Sequence, residues 1–345
     1  MVILWYFFIR FKEKMSTPLL GKNIKNYLLK VIQSQSFSHA YLFSGPDYTN
    51  KEKTAIYLAQ AILCSTDLQS KDIPCGQCNH CSQVLHGVHP DLFIVDKVAD
   101  NKNIGIEQIR DLLRRLSLHS FIATYKVAII YEADLMTDEA ANALLKTLEE
   151  PLGRTVFILV ARHTSFLPDT IVSRCQIIRF SYLTKNEFSD FSNTNKLQPD
   201  SAESYYRLSQ GFPEIIESNL NNKKFWQENI DEVKLHLNIY PESLVIKFDF
   251  LKNLLKNKKT ASAKNQTISK ETDIWLRILR DILFVKLNLE NFVLLSEQIS
   301  SLRKIAVNVD IDKIFSQINT VLKIQKELSI NTNPQLTLEN LYLSF

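Results

Sequence analysis

The sequence predicts a parallel α/β domain as far as residue 180, carrying an inserted four-cysteine module, and helical domains from there to the C terminus. Three observations predict it. In the first half, short runs of core-type residues alternate with helical patterns, as in a parallel sheet covered on both faces. Four of the five cysteines crowd between Cys64 and Cys81. After Phe180 the strand-like runs stop, and apolar residues recur at helical spacing to the end.

Taken in order, residues 24–33 have helical periodicity, and HAYLFSGP (39–46) reads as a short buried strand ending in a turn. A helix over 51–63 follows, with Ala55, Leu58, Ala59 and Ile62 on one face. Strands are expected at 92–95, 126–131, 155–160 and 176–180, with helices at 106–116 and at 138–149, the latter stopped by Pro151. The remainder divides into a small helical domain over 181–222 and a larger one over 223–345. Within the latter, 256–273 (KNKKTASAKNQTISKETD) is polar enough to be expected as an exposed loop or weak linker. The stretch DIWLRILRDILFVKL is an amphipathic helix, and Asn333-Pro334 opens a last one.

Composition narrows the function classes. A length of 345 residues suffices for two or three domains, and 45% hydrophobic residues is ordinary for a soluble protein. The 41 Lys and Arg against 37 Asp and Glu leave a charge of +4, too small to argue for strong nucleic-acid binding alone. The opening MVILWYFFIRF is far shorter than the ~20 apolar residues of a spanning helix, and no small-residue cleavage site follows it. Met15 reads as a more natural start, so residues 1–14 are expected to be a mis-assigned or disordered leader. The expected compartment is the cytoplasm, with no membrane partner.

The turn after the first strand sits where a phosphate-binding loop would. A working loop of the form G-x-x-x-x-G-K-[ST] cradles phosphates with backbone N–H groups, its lysine meets the outer phosphates, and its hydroxyl holds Mg²⁺. Here GPDYTNKE keeps Gly45 and Lys51 in register. Asn50 replaces the second glycine, and Glu52 replaces the hydroxyl with a carboxylate that repels phosphate oxygens. The loop (Gly45, Lys51, Glu52) therefore reads as vestigial, with ATP not bound. An alternative register uses Lys53-Thr54, which requires two more residues in the cradle.

Cys64, Cys75, Cys78 and Cys81 give C-x10-C-x2-C-x2-C. Two-residue spacings let neighbouring thiolates face one ion, and four thiolates close a tetrahedral structural Zn²⁺ site with no open position for catalysis. Free buried thiols and an iron–sulfur cluster are the other readings of this spacing. His80 and His86 are taken as bystanders. The third strand ends in Tyr131, Glu132 and Asp134. Tyr131 stands where a P-loop ATPase carries its Mg²⁺-binding Asp, and Glu132 where it carries the water-activating acid.

The segments HAYLFSGP, PCGQCNHC, KVAIIYEADLMTDEAANALLKTLEEP, FILVARHTSFLPDTIVSRCQIIRF and NPQLTLENLYL together resemble the clamp-loader subunits of bacterial DNA polymerase III, members of the AAA+ ATPases. The resemblance runs from about residue 19 to 343. It implies an AAA+ domain over 15–180 with a zinc knuckle at 64–81, a lid over 181–222 and an oligomerising collar over 223–345. Two types share this layout, the ATP-hydrolysing gamma/tau type and the delta-prime type. Asn50, Glu52, Tyr131, Arg162 near the sensor position and Glu214 in QGFPEII all depart from the hydrolysing pattern, which favours the delta-prime type.

The resemblance also carries a role for Ser173-Arg174-Cys175. Its arginine projects into the neighbouring subunit's ATP site, where a guanidinium supplied in trans stabilises charge on the transferred phosphoryl group. Arg174, with Ser173 beside it, is the expected catalytic contribution of a chain that hydrolyses no ATP itself yet belongs to the polymerase holoenzyme. Implied partners are the gamma/tau and delta subunits, the sliding clamp, and primed DNA held through the assembled ring. The rival readings are a gamma/tau-type ATPase with an active site and a stand-alone zinc protein that binds nucleic acid. Arg110, Arg114 and Arg115 are the residues such binding would use, although on one helix they equally suit a solvated face.

Overall fold

The computed structural model describes residues 17–66, 74–97, 103–118, 122–150, 153–256, 261–327 and 333–345. The expected leader at 1–14 lies outside them. The described residues fall into two compact units: the chain up to Leu197 together with Gly211–Ser218, and Gln198–Gln210 together with Asn219–Phe345.

The first unit is built on five parallel strands in the order β2-β3-β4-β1-β5. They are β1 (Ala40–Ser44), β2 (Leu92–Val95), β3 (Lys126–Ile130), β4 (Thr155–Ala161) and β5 (Gln176–Arg179). Strand side chains alternate between two faces, and both faces here are covered. Tyr41, Phe43, Val127, Ile129, Val156 and Ile158 pack on one side with α1 (Lys22–Ser34) and α2 (Lys51–Leu63). Ala40, Leu42, Ala128, Ile130, Phe157 and Leu159 pack on the other with α4 (Ile106–Ser117), α5 (Asp138–Glu149) and α6 (Asp169–Val172). Two-sided burial explains why β1, β3 and β4 read as unbroken apolar runs with no polar alternation. Between α2 and β2 lies α3 (Asn79–Leu85), started by the Cys78 sulfur, which accepts from the Cys81 N–H. The unit also contains α7 (Lys185–Thr194) and the start of α9 (Pro213–Asn219).

Because β3, β4 and β1 are neighbours and parallel, their carboxyl ends lie side by side. The turn after Ser44, the residues after Ile130, and Arg162 after β4 are thereby gathered at one edge, where open parallel sheets bind ligands.

The second unit is helical: α8 (Pro199–Ser209), α10 (Lys223–Ile239), α11 (Leu244–Leu255), α12 (Ala261–Lys286), α13 (Ile299–Asn308), α14 (Ile311–Glu327) and α15 (Pro334–Leu343). The 26-residue α12 is its axis, with α10, α13, α14 and α15 packed on it. Trp275 is fully buried there, its ring 4.1 Å from that of Phe345 and 5.6 Å from that of Tyr342. No helix among the described residues is long and apolar enough to cross a membrane.

The expectation of a loop over 256–273 is corrected. Residues 257–260 lie outside the described residues, but α12 begins at Ala261 and runs through the rest. Composition concealed it because its inward face is partly polar: Ile268, Glu271 and Thr272 are all buried. Glu271 is accommodated by His236 Nε2 at 2.9 Å and the Tyr342 hydroxyl at 2.6 Å, and Thr272 Oγ1 donates to the Ser269 carbonyl at 2.8 Å. Buried polar groups that find partners lose most of their desolvation penalty.

Candidate functional site

Asn50, in the place of the second loop glycine, has φ of 61°, and Tyr48 has 62°. Asn tolerates this left-handed region better than most side chains, so the turn keeps its path without the glycine. The Asn50 side chain donates to the Leu19 carbonyl at 2.9 Å and to Glu217 Oε2 at 3.1 Å. Gly45 is required by packing: a Cβ there would lie 2.3 Å from the Phe180 carbonyl oxygen.

Lys51 turns back into its own loop. Its ammonium donates to the carbonyls of Gly45 (2.8 Å) and Pro46 (3.0 Å) and to Asp47 Oδ1 (3.1 Å), and the residue is only 5% exposed. Asp47 also pairs with Arg162 at 3.1 Å, and Glu132, at φ 45°, pairs with Lys97 at 2.9 Å. Glu52 lies in the first turn of α2, at the positive end of the helix dipole, where a phosphate would otherwise sit.

An open cavity of about 280 Å³ is lined by Asp47, Tyr48, Thr49, Lys51, Glu52, Glu132, Arg162 and Glu214. The fold thus brings together five residues singled out from the sequence: Lys51, Glu52, Glu132, Arg162 and Glu214. Its lining holds four carboxylates and two cations, and Lys97 outside it neutralises one of the four, Glu132. In the alternative register, Thr54 is buried with its hydroxyl donating to the Asn50 carbonyl at 2.6 Å, and Lys53 pairs with Glu217 at 3.3 Å.

Arg174 and Ser173 are not among the residues lining this cavity. They follow the single turn of α6, which Pro168 precedes and the buried Leu167 and Ile171 anchor. Arg174 Nη1 donates to the Thr170 carbonyl at 2.8 Å, Nη2 pairs with Glu149, and the Ser173 hydroxyl donates to Thr170 at 3.2 Å. Cys175 is separate from the cysteine cluster, and burial pushes its thiol up to about 12.

The four clustered cysteines meet as expected, with all sulfurs within 4.8 Å of one another. Sγ separations are 3.6 Å for Cys64–Cys75, 3.9 Å for Cys64–Cys78 and 4.0 Å for Cys75–Cys81. The Cys78 N–H donates to Cys75 Sγ and the Cys81 N–H to Cys78 Sγ, each at 3.4 Å. A hydrogen bond from Thr66, with the backbone N–H groups of Gln77 and Cys78 and the Cys64 thiol, draws the Cys75 thiol down to about 6. Burial raises Cys78, but Ser65 and the Cys81 N–H more than reverse it, leaving it low; burial raises Cys81. Such a set of soft donors can hold a metal ion. His80 instead bonds His89 at 2.8 Å, and His86 bonds the Ser82 carbonyl at 2.7 Å. On α4, Arg110 pairs with Glu107 and Arg114 with Asp111, while Arg115 lies over the Phe93 ring at 5.0 Å.

Sequence reasoning missed Asp47, Glu149 and Glu217. Asp47 carried a local signal, an acid four residues before Lys51; the other two reach their partners only through the fold.

Two family models match the chain, one described as DNA polymerase III, delta subunit, over residues 21–184, the other as its C-terminal part over 248–345. The DNA polymerase III subunit delta' of Bacillus subtilis is 29% identical over 324 residues, covering 94% of this chain and 95% of that protein. The tau subunit of the same organism is 37% identical over 175 residues, 51% of this chain and 30% of that protein. The delta' subunit of Pseudomonas aeruginosa is 38% identical over 138 residues, 40% of this chain and 42% of that protein. Among solved structures, a gamma-subunit-related DNA polymerase III protein of Thermotoga maritima shares the fold with a TM-score of 0.51 at 18% identity, covering 92% of this chain and 97% of that one.

Proposed function

The chain belongs to the delta-prime family of DNA polymerase III clamp-loader subunits, with an AAA+ first unit, and from that membership we propose that it helps load the sliding clamp onto primed DNA without hydrolysing ATP itself. The observation that carries the second half is Lys51. Its ammonium is taken up by two loop carbonyls and Asp47, bonds that a phosphate oxygen would have to displace. The buried Thr54 and the paired Lys53 count against the gamma/tau reading.

Arg174 is the finger supplied to a gamma/tau neighbour, with Ser173 completing the turn that aims it. A guanidinium is suited to this because it stays charged and offers its donors in a planar fork. The cysteines hold a structural zinc. Thiolates at ~2.3 Å around a tetrahedral ion stand about 3.8 Å from one another, and the observed sulfur separations bracket that value. Bound zinc would tie the end of α2 to α3 and stabilise the fold. Residues 181–222 act as a lid and 223–345 as the collar that meets the gamma/tau and delta subunits; DNA and clamp are contacted through the assembled ring, in the cytoplasm.

The test is nucleotide binding and hydrolysis by the purified chain, alone and mixed with its gamma/tau partner. No binding alone, with partner ATPase depressed by Arg174→Ala, supports the proposal. Tight Mg²⁺-ATP binding and turnover by the isolated chain overturns it in favour of a gamma-type ATPase.

A further inference from the structure

We infer that Glu149 is a positioning residue for Arg174, holding its guanidinium at Nη2; this rests on the finger reading above. Glu149 is the last residue of α5 and Arg174 stands two residues beyond α6. The two helices are fixed to each other through one core containing Leu144, Leu148, Leu167 and Ile171. Carboxylate and guanidinium therefore project from rigid neighbours, 25 positions apart in sequence.

The placement of Glu149 runs against the ordinary preference. A helix C terminus carries the negative end of the dipole and favours cations there. An acid in the last turn needs a compensating charge, and Arg174 provides it. The pair is partly exposed, so its contribution to stability is small. What it supplies is geometry.

Arg174 bonds through Nη1 to Thr170 and Ser173 and through Nη2 to Glu149. Among the described residues its Nε–H has no partner. A long side chain restrained in this way, with a donor still available, approaches a neighbour's phosphoryl oxygens with less conformational freedom left to lose. Thr170 and Ser173 move with Arg174 on the same turn. Glu149 is the anchor that ties the guanidinium to a different element.

The experiment measures ATPase in the ring reconstituted with gamma/tau and delta subunits, with assembly checked by gel filtration. Glu149→Ala is expected to lower kcat several-fold with the KM for ATP little changed, and Glu149→Gln, which retains an acceptor, to recover much of the loss. Adding Glu149→Ala to Arg174→Ala is expected to change nothing further, because the carboxylate acts only through the arginine. An unchanged or raised kcat in Glu149→Ala, or an additive loss in the double variant, overturns the positioning role while leaving the finger standing. An Arg174→Ala ring with undiminished ATPase removes both.

Discussion

The Lys51 ammonium lies 2.8 Å from the Gly45 carbonyl, so the two residues that keep the phosphate-loop register are bonded directly to each other. A lysine used this way is part of the architecture of its turn. Lys51→Ala should therefore reduce stability by about 1–3 kcal/mol, the range for leaving buried acceptors unmet. Urea unfolding reads this directly; an unaltered midpoint would mean that the lysine is not structural.

Gly45 faces the Phe180 backbone with no room for a methyl group. Gly45→Ala forces β1 and the chain after β5 apart and should cost about 1–3 kcal/mol, as overpacking does. Thermal denaturation of the variant checks it, and a stability equal to that of the parent counts against the contact.

For the cysteine cluster, the purified chain should carry a single zinc equivalent by elemental analysis. Chelation or Cys78→Ser should remove it and lower the melting temperature. Iron with visible absorption would replace zinc by a cluster, and metal-free protein of undiminished stability would leave the cysteines as thiols.

In the helical unit, burial alone would lower the His236 pKa, but Glu271 and the Glu232 carbonyl outweigh it, so the value lies above the ordinary 6.5. Both ring nitrogens face acceptors, Glu232 at 2.8 Å and Glu271 at 2.9 Å, which fits the imidazolium. A group whose folded pKa is raised stabilises fully below its unfolded pKa and loses that contribution as pH climbs through the folded one. Unfolding of this unit should thus become easier as pH rises above about 6.5, and His236→Gln should flatten the dependence. Equal pH slopes in parent and variant would rule out the pair as the cause.

Ile268 is fully buried in a stretch whose composition suggests a linker. Ile268→Ala should destabilise by about 2–5 kcal/mol if α12 is a core helix here. A surface-like effect, within about ±0.5 kcal/mol, would restore the loop reading.

How much of this was legible varies from element to element. The helices at 51–63 and 138–149 and the strand at 92–95 have the bounds read from the sequence, because the spacing of Ala55, Leu58, Ala59 and Ile62, the stop at Pro151 and the run LFIV are local signals. The cysteine spacing likewise names its own partners. α12 was illegible where its buried face is polar, since Glu271 looks like a solvated residue until His236 and Tyr342 arrive from 35 and 71 positions away.

By itself the sequence determined the five strands and their order along the chain, the cysteine set and the departure of the loop from a phosphate cradle; each depends on residue type at short spacing. Only the tertiary structure decided that Lys51 closes on its own loop, that four carboxylates share one cavity, and that Glu149 holds Arg174. These depend on parallel strand ends and packed helices bringing distant charges within a few ångströms, where Coulomb and hydrogen-bond energies become appreciable.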